Sequence, residues 1–547
     1  MRAAWSGAAV GGGALLLVLL LAAAAATARA ELYTALVELE ELLETEAVLM
    51  TELEGYIAAQ EEKLRVLKRH YSEYAKEHDE ASQDVQAYLS NPINAYLLVK
   101  RLTTDWKSVE SQMVKDVGEG FIENITNYRS VLKFPTDEDL NGAAVALMRL
   151  QDTYKLDTAS VARGELNGIQ YSTELSAGDC FELGRQSYNN GDFYHTVLWM
   201  QEALQRYEEE YNKTTTKSDI LEYLAFSTYM QGNVRTALKL TDELLQIVPT
   251  HQRALGNRDY YLKDLESRDD RKKGEDGYGS LPADDAKVVM EKKPKTDDLP
   301  ERELYEMLCR NEVTVPVDIQ SQLKCRYTDL GSPFLKLARV KEEEAYLKPR
   351  IVIFHDIIYD PEIETIKRLA QPRFRRATVQ NSETGELEVA HYRISKSAWL
   401  SDEDHKHIHS VNRRVEDLTG LTMETAEQLQ VVNYGIGGHY EPHYDFARKE
   451  EHNAFKKLGT GNRIATVLFY MSDVPQGGGT VFPSIKVALW PKKGSAAFWY
   501  NLYKNGEGDF KTRHAACPVL AGSKWVSNKW IHEVGQEFRR PCALTND

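Results

Sequence analysis

Cysteine is scarce in this chain: Cys180, Cys309, Cys325, Cys517 and Cys542 are the five among 547 residues. No two of them have C-x-x-C spacing, which argues against a zinc site. Positive charge is short as well. Asp and Glu number 83 against 67 Lys and Arg, a formal net charge of −16, and a nucleic-acid backbone attracts surfaces of the opposite sign. A neutral or basic protein substrate remains compatible with that balance. Beyond Ala30 there is no apolar stretch long enough to cross a bilayer. The C-terminal Leu544-Thr545-Asn546-Asp547 is not an ER-retention tetrapeptide, so if the chain works in that compartment something else holds it there. What remains is an ordinary globular composition in a chain too long for one core, with roughly three or four domains expected.

The N-terminus reads as an address. Arg2 opens a short positive region, an apolar run follows from Ala8 to Ala26, and Ala28-Arg29-Ala30 fits a small-x-small cleavage site. Residues 1–30 are therefore read as a signal peptide, with an uncleaved membrane anchor as the alternative. The sequons at Asn124 and Asn212 agree with a secretory route. An oxidising compartment favours disulfides. The economical local pairs are Cys309 with Cys325 and Cys517 with Cys542, which leaves Cys180 as a buried helical thiol.

Residues 31–165 carry helical patterning. Up to about residue 75 it is a heptad: Leu36, Leu43, Met50, Ile57, Leu64 and Tyr71 form one seam, and Leu39, Glu46, Leu53, Gln60 and Leu67 the other. Such a pattern builds a coiled coil whose polar interruptions can fix register, so self-association is expected here; an amphipathic helix packed on its own domain is the alternative. Residues 172–264 hold a degenerate tetratricopeptide-like repeat, with Gly191-Asp192 and Gly232-Asn233 at corresponding turns and a polar insertion around Asn212. Tyr188, Tyr194, Tyr223, Tyr229 and Tyr260 recur across it at helical spacing. As core residues they need no further account. As a groove they would stack on proline rings of an extended peptide, with Arg253 and Asn257 holding its carbonyls. Residues 265–300 are charged and poor in apolar side chains, which reads as a linker.

Residues 301–547 are read as a further domain, and from Arg350 its pattern turns to short alternating strands separated by glycine-rich turns, the signature of a jelly roll. Within it His443-Tyr444-Asp445 places an imidazole and a carboxylate two residues apart on one strand face, and His514 comes from a later strand. Two His and one carboxylate on one face of a metal leave open positions for Fe(II) oxygen chemistry. Lys524, among Trp and Val, needs an anion if it faces inward. The distal carboxylate of 2-oxoglutarate supplies one, with Tyr434 and Thr466 as hydrogen-bond donors to it, and Lys529 is the rival anchor. His532 lies close enough in sequence to reach the 2-oxo acid or the substrate.

Four runs, Glu441-Pro442-His443-Tyr444-Asp445-Phe446-Ala447-Arg448-Lys449, Gly459 to Thr466, Arg513 to Val519 and Trp525 to Trp530, resemble the catalytic alpha subunits of the collagen prolyl 4-hydroxylase family. The resemblance extends over essentially the whole mature chain. It implies a multidomain α + β architecture: a helical coiled-coil region, a tetratricopeptide-like peptide-binding module and a C-terminal double-stranded β-helix dioxygenase domain. It also implies hydroxylation of proline at C4 in X-Pro-Gly sequences of procollagen, coupled to conversion of 2-oxoglutarate to succinate and CO₂. Carried over by position, the iron ligands are His443, Asp445 and His514, and the 2-oxoglutarate anchor is Lys524 with His532 assisting. The family's disulfides map onto Cys309–Cys325 and Cys517–Cys542. Further implications are O₂ as co-substrate, L-ascorbate as reductant, an α₂β₂ tetramer with protein disulfide isomerase as β subunit, and residence in the endoplasmic reticulum lumen. Phe193 departs from the pattern, standing where tyrosine is common; the ring can pack but not donate. Two other readings are kept: a catalytically dead collagen-binding chaperone, against which all three ligands and Lys524 speak, and a prolyl 3- or lysyl hydroxylase.

Overall fold

The computed structural model describes residues 32–275, 301–380, 387–390, 392–451 and 453–545. The expected signal peptide and most of the expected linker fall outside them. No helix among the described residues is long and apolar enough to cross a membrane.

The heptad folds as one 48-residue helix, α1 (Leu36–Gln83). In the unit Glu38–Thr136, α1 packs against α2 (Glu119–Val131). Gly55 lets the Phe121 ring approach so closely that a Cβ there would lie 2.9 Å from it, and Tyr56 meets the same ring edge-on at 5.9 Å. The seam residues Leu43, Met50, Ile57, Leu64 and Tyr71 stay exposed. Asn124 sits on α2, with its amide donating to Glu52 Oε2 at 3.2 Å, rather than in a loop; Asn212 follows the end of a helix in an exposed turn.

The second unit joins Met1–Val37 to Asp137–Asp547, so the helical region expected to end at residue 165 is divided. Its last part, α3 (Asp137–Tyr154), packs with the peptide module and the C-terminal sheets instead. Five helices follow: α4 (Ala177–Asn189), α5 (Phe193–Glu209), α6 (Lys217–Met230), α7 (Val234–Ile247) and α8 (Gln252–Glu275). The repeated Gly-Asp and Gly-Asn dipeptides explain the hairpins. Gly191 and Gly232 take φ of +73° and +91° to end one helix. Asp192 and Asn233 then cap the next by accepting from His195 and Thr236 backbone N–H. Helix α8 runs to Glu275, through the first eleven residues of the segment expected to be linker.

The C-terminal part is antiparallel throughout its main sheets. The large sheet runs β1 (Cys325–Thr328), β2 (Val340–Leu347), β3 (Arg350–His355), β11 (Ala496–Tyr500), β8 (Arg463–Tyr470), β13 (Trp525–His532), β6 (Leu429–Asn433), β5 (Lys396–Leu400) and β4 (Arg375–Arg376). The small one runs β7 (Tyr440–His443), β12 (His514–Ala516), β9 (Thr480–Phe482) and β10 (Val487–Leu489). Period-two alternation sorts β8: Ala465, Val467 and Phe469 join the core under α10 (Asp360–Ala370) and α11 (Lys406–Thr419), whereas Leu468 and Tyr470 join the core shared with the small sheet.

The local disulfide pairs do not form. Cys309, at the end of α9 (Arg302–Cys309), bonds to Cys517, 208 residues on, with Cα atoms 5.5 Å apart. Helix α9 lies on the small sheet through Tyr305 and Leu308 against Val481 and Ala515, and this packing, not sequence distance, decides the partner. Cys325 and Cys542 are free and exposed; Cys180 is a free buried thiol on α4, which burial pushes up to about 12.

Candidate metal and co-substrate site

Strands β7 and β12 are neighbours, and His443 and His514 are directly opposed across them, with ring centroids 4.4 Å apart. Asp445 follows just past the end of β7. One donor atom from each of His443, Asp445 and His514 lies within 4.8 Å of the others. The ring orientations are set from behind. His443 Nδ1 donates to Glu441 O at 2.7 Å and His514 Nδ1 to Thr512 O at 2.9 Å, which leaves both Nε2 lone pairs free. These face Asp445 at 3.8 and 3.6 Å, too far for hydrogen bonds to consume them. Burial, with the His514 ring beside it, pushes the His443 imidazole down to about 3. Burial would raise the Asp445 carboxyl, but the two imidazoles, Arg463 and Thr466 hold it below the ordinary range. Two imidazoles and a carboxylate form the donor set that suits Fe(II).

Thr466 differs from expectation. Its hydroxyl donates to Asp445 Oδ2 at 2.7 Å and accepts from Asn501 Nδ2 at 2.9 Å, so its proton orients the carboxylate rather than a co-substrate. His514 rests against Trp499 and Phe482, at 4.9 and 5.5 Å. That apolar wall continues through Tyr470 and Val526 to Tyr434. There Lys524 Nζ lies 4.9 Å from the Tyr434 ring centre. Lys524 is 1% exposed, and burial alone pushes its ammonium down to about 7; no carboxylate among the described residues pairs with it. Lys529, the rival, donates to Glu427 O at 2.6 Å. Burial keeps Tyr434 protonated, with its phenol pushed up to about 12.

His532 is buried with both ring nitrogens engaged. Nε2 lies 2.9 Å from Glu427 Oε1, and Nδ1 lies 2.7 Å from Gly461 O. Arg463 grips the same Glu427 at 2.6 and 3.0 Å and reaches Asp445 O at 3.4 Å, so His532 meets the trio through this network. Sequence reasoning missed Arg463, Glu427 and Tyr440. Tyr440 lies between the His443 ring at 3.5 Å and the Arg393 guanidinium at 4.8 Å. A strand arginine leading into the apolar run Ile464-Ala465 was the available signal, since a buried guanidinium must find a carboxylate. Arg393 Nε, Ser395 Oγ and Trp530 Nε1 are buried without hydrogen-bond partners.

In the helical module Tyr188 meets Tyr223 at 4.9 Å and Phe193 and Phe226 at 5.7 Å each. Tyr229 stacks on Tyr261 at 4.4 Å and meets Tyr260 at 5.7 Å. Tyr194 stands edge-on to His195. Arg253 is held by Glu222 Oε1 at 2.6 Å, which takes donors from the carbonyl role expected of it. Asn257 is half-buried on α8.

Three family models match the chain: the prolyl 4-hydroxylase alpha-subunit N-terminal region over residues 35–168, the prolyl 4-hydroxylase peptide-substrate-binding domain over 177–267, and the 2OG-Fe(II) oxygenase superfamily over 429–532. Prolyl 4-hydroxylase subunit alpha-1 of Homo sapiens is 50% identical over 521 residues, covering 95% of this chain and 96% of the relative. Subunit alpha-2 of Caenorhabditis elegans is 51% identical over 524 residues, with 95% of each chain covered. Among solved structures, the 2OG complex of viral collagen prolyl hydroxylase from Paramecium Bursaria Chlorella virus-1 matches at 22% identity and TM-score 0.27, over 34% of this chain and 96% of that one. The chain belongs to the prolyl 4-hydroxylase alpha-subunit family.

Proposed function

We propose that this chain is a 2-oxoglutarate- and Fe(II)-dependent prolyl 4-hydroxylase acting on X-Pro-Gly sequences of procollagen. The observation that carries the reading is an imidazole–carboxylate–imidazole trio whose two Nε2 atoms converge on the carboxylate without a hydrogen bond, together with a buried ammonium that no carboxylate among the described residues pairs with. His443, Asp445 and His514 would hold the iron; Lys524 and the Tyr434 hydroxyl would take the distal carboxylate of 2-oxoglutarate. When bound, iron with 2-oxoglutarate and O₂ supplies the oxidising power that converts the prolyl C4–H to C4–OH, releasing succinate and CO₂. The chain's own part is positioning and exclusion of water. Trp499, Phe482 and Tyr470 wall off the space beside His514, and the carbonyls of Glu441 and Thr512 keep both imidazoles in the ligating tautomer. The unsatisfied donors on Arg393, Ser395 and Trp530 suit the carbonyls of an extended prolyl peptide. His532 with Glu427 and Arg463 would frame that peptide and the ligand Asp445.

The Tyr188 and Tyr229 clusters support a polyproline-II groove that tethers the substrate away from the iron. The exposed seam of α1 supports self-association. A protein disulfide isomerase β subunit in an α₂β₂ tetramer would complete the enzyme in the endoplasmic reticulum lumen. L-Ascorbate would restore iron oxidised in uncoupled cycles.

The test is turnover of a (Pro-Pro-Gly) peptide with the isomerase partner present, with and without added iron and ascorbate, and with fragmentation mass spectrometry of the product. Hydroxyl on C4 of the proline before glycine is expected. Hydroxylysine alone, or hydroxyl on C3, would overturn the assignment.

A further inference from the structure

Helix α3 is built to face two ways. Leu150 and Tyr154, one turn apart, enter the core of the small sheet with Val481, Ala515 and Cys517. The Tyr154 hydroxyl donates to Pro518 O at 2.5 Å, four residues beyond His514, and Arg149 Nη1 donates to Gly437 O at 3.2 Å. On its other side Met148 packs with Val197, Trp199 and Met200 of α5. Gln151 Oε1 accepts from Trp199 Nε1 at 2.8 Å, and Asp152 Oδ1 lies 3.3 Å from His195 Nε2. The other nitrogen of His195 meets Asp192 Oδ2 at 2.8 Å. Trp199 is fully buried and His195 is 1% exposed. A side chain with two satisfied polar contacts and no water around it resists displacement, because separating it strands buried donors and acceptors. A second strap runs beside it: Asn167 Nδ2 donates to Gln476 Oε1 and Gln476 Nε2 to the Tyr171 hydroxyl, each at 3.1 Å.

We propose that α3 is a rigid spacer fixing the direction and distance from the aromatic groove to the metal-binding trio, and that its polar joint with α5 sets the preference for long repetitive chains over short peptides. Gln151 and Asp152 on α3, with Trp199 and His195 on α5, are the positioning residues of that joint. This rests on the groove reading above. A chain tethered in the groove presents its next prolines at an effective concentration that depends on how narrowly the two sites are held relative to one another. A loose joint spreads the same tether over many orientations, and each that misses the iron lowers that concentration. A peptide too short to span both sites gains nothing from the joint and loses nothing when it slackens.

The experiment uses the full chain with its partner subunit. Asp152→Arg places a cation against His195, outside both sites. KM and kcat are measured with a long and a short (Pro-Pro-Gly) peptide, and the affinity of the groove for poly-proline is measured separately. The expected result is a rise in KM for the long peptide on the order of tenfold. KM for the short peptide, kcat for both and poly-proline affinity are expected to stay unchanged, and Asp152→Glu to behave as the parent. An unchanged ratio of long-peptide to short-peptide KM would overturn the spacer. If Asp152→Arg does not fold, Gln151→Ala, which removes the Trp199 contact together with a bond to Thr158 within the same segment, is read the same way. A parent enzyme with no length preference and no poly-proline binding removes the groove itself, an outcome distinct from a joint that fails while the groove binds.

Discussion

Two of the histidine–aspartate clusters among the described residues, around His195 and around Asp445, are opposite in kind. Around His195 every ring nitrogen has a carboxylate partner within 3.3 Å. Around Asp445 the two imidazoles spend Nδ1 on backbone carbonyls and leave Nε2 short of any partner. Residue types alone do not separate the two. What separates them is the ledger of hydrogen bonds, which closes at His195 and stays open at the trio. An open ledger in a buried place is costly unless something completes it, and that is the physical content of the metal site. The same contrast divides the buried lysines: Lys529 has a carbonyl acceptor, and Lys524 has none among the described residues.

The sharpest way to test the contrast is to truncate one imidazole from each cluster. His443→Ala should abolish CO₂ release from 2-oxoglutarate, a loss beyond the roughly 10–100-fold typical of a residue behind a ligand, while poly-proline binding stays intact. His195→Ala should instead leave metal affinity as it was and lower the thermal midpoint, because Asp152 and Asp192 lose a buried partner. If the two variants lost the same function, the division between open and closed clusters would fail.

Next in size is the lysine pair. Lys524→Met should raise KM for 2-oxoglutarate about 10–100-fold, the worth of a charge-assisted hydrogen bond, whereas Lys529→Met should act on stability. The pH dependence adds a sign. The free ammonium is pushed down to about 7 by burial, and a bound carboxylate favours its charged form. Binding therefore takes up a proton above pH 7, and 2-oxoglutarate affinity should fall as pH rises, by up to about tenfold per unit. For folding the sign is reversed. The unfolded lysine keeps its proton to a higher pH than the folded one, so the stability of the ligand-free enzyme should rise with pH above 7. Isothermal titration of 2-oxoglutarate across that range checks this, and in Lys524→Met the slope above pH 7 should vanish.

How much of this was legible beforehand follows from the range of the interactions. That His443, Asp445 and His514 converge could be read because the H-x-D spacing keeps the first two within one short segment and a later run offers the second histidine. The repeat hairpins could be read because glycine and a capping Asp or Asn act within a few residues. The disulfide was misread because Cys309 and Cys517 meet only after α9 docks on the small sheet. The division of the helical region was missed for a like reason. Nothing in the periodicity of residues 137–154 says that one face of α3 will find Trp199 and the other Ala515. Thr466 was expected to donate to a co-substrate carboxylate and donates instead to Asp445, 21 residues earlier in the chain, a contact that local patterning does not reveal.

Thr466 also gives the finest division of the open cluster, between ligating a metal and holding a ligand. Its hydroxyl is the one side-chain donor to Asp445 among the described hydrogen bonds, and it accepts from Asn501 in turn. Thr466→Val keeps the branched shape and removes both bonds. Asp445 then loses its orientation but not its charge, so Fe(II) affinity should fall by about tenfold, the lower end for a residue standing behind a ligand. KM for 2-oxoglutarate, measured at saturating iron, should hold, because Lys524 and Tyr434 are untouched. Had the hydroxyl served the co-substrate instead, the two effects would exchange places, with KM rising and metal affinity constant. A competition titration with a fluorescent chelator, run beside the kinetic measurement, distinguishes the two.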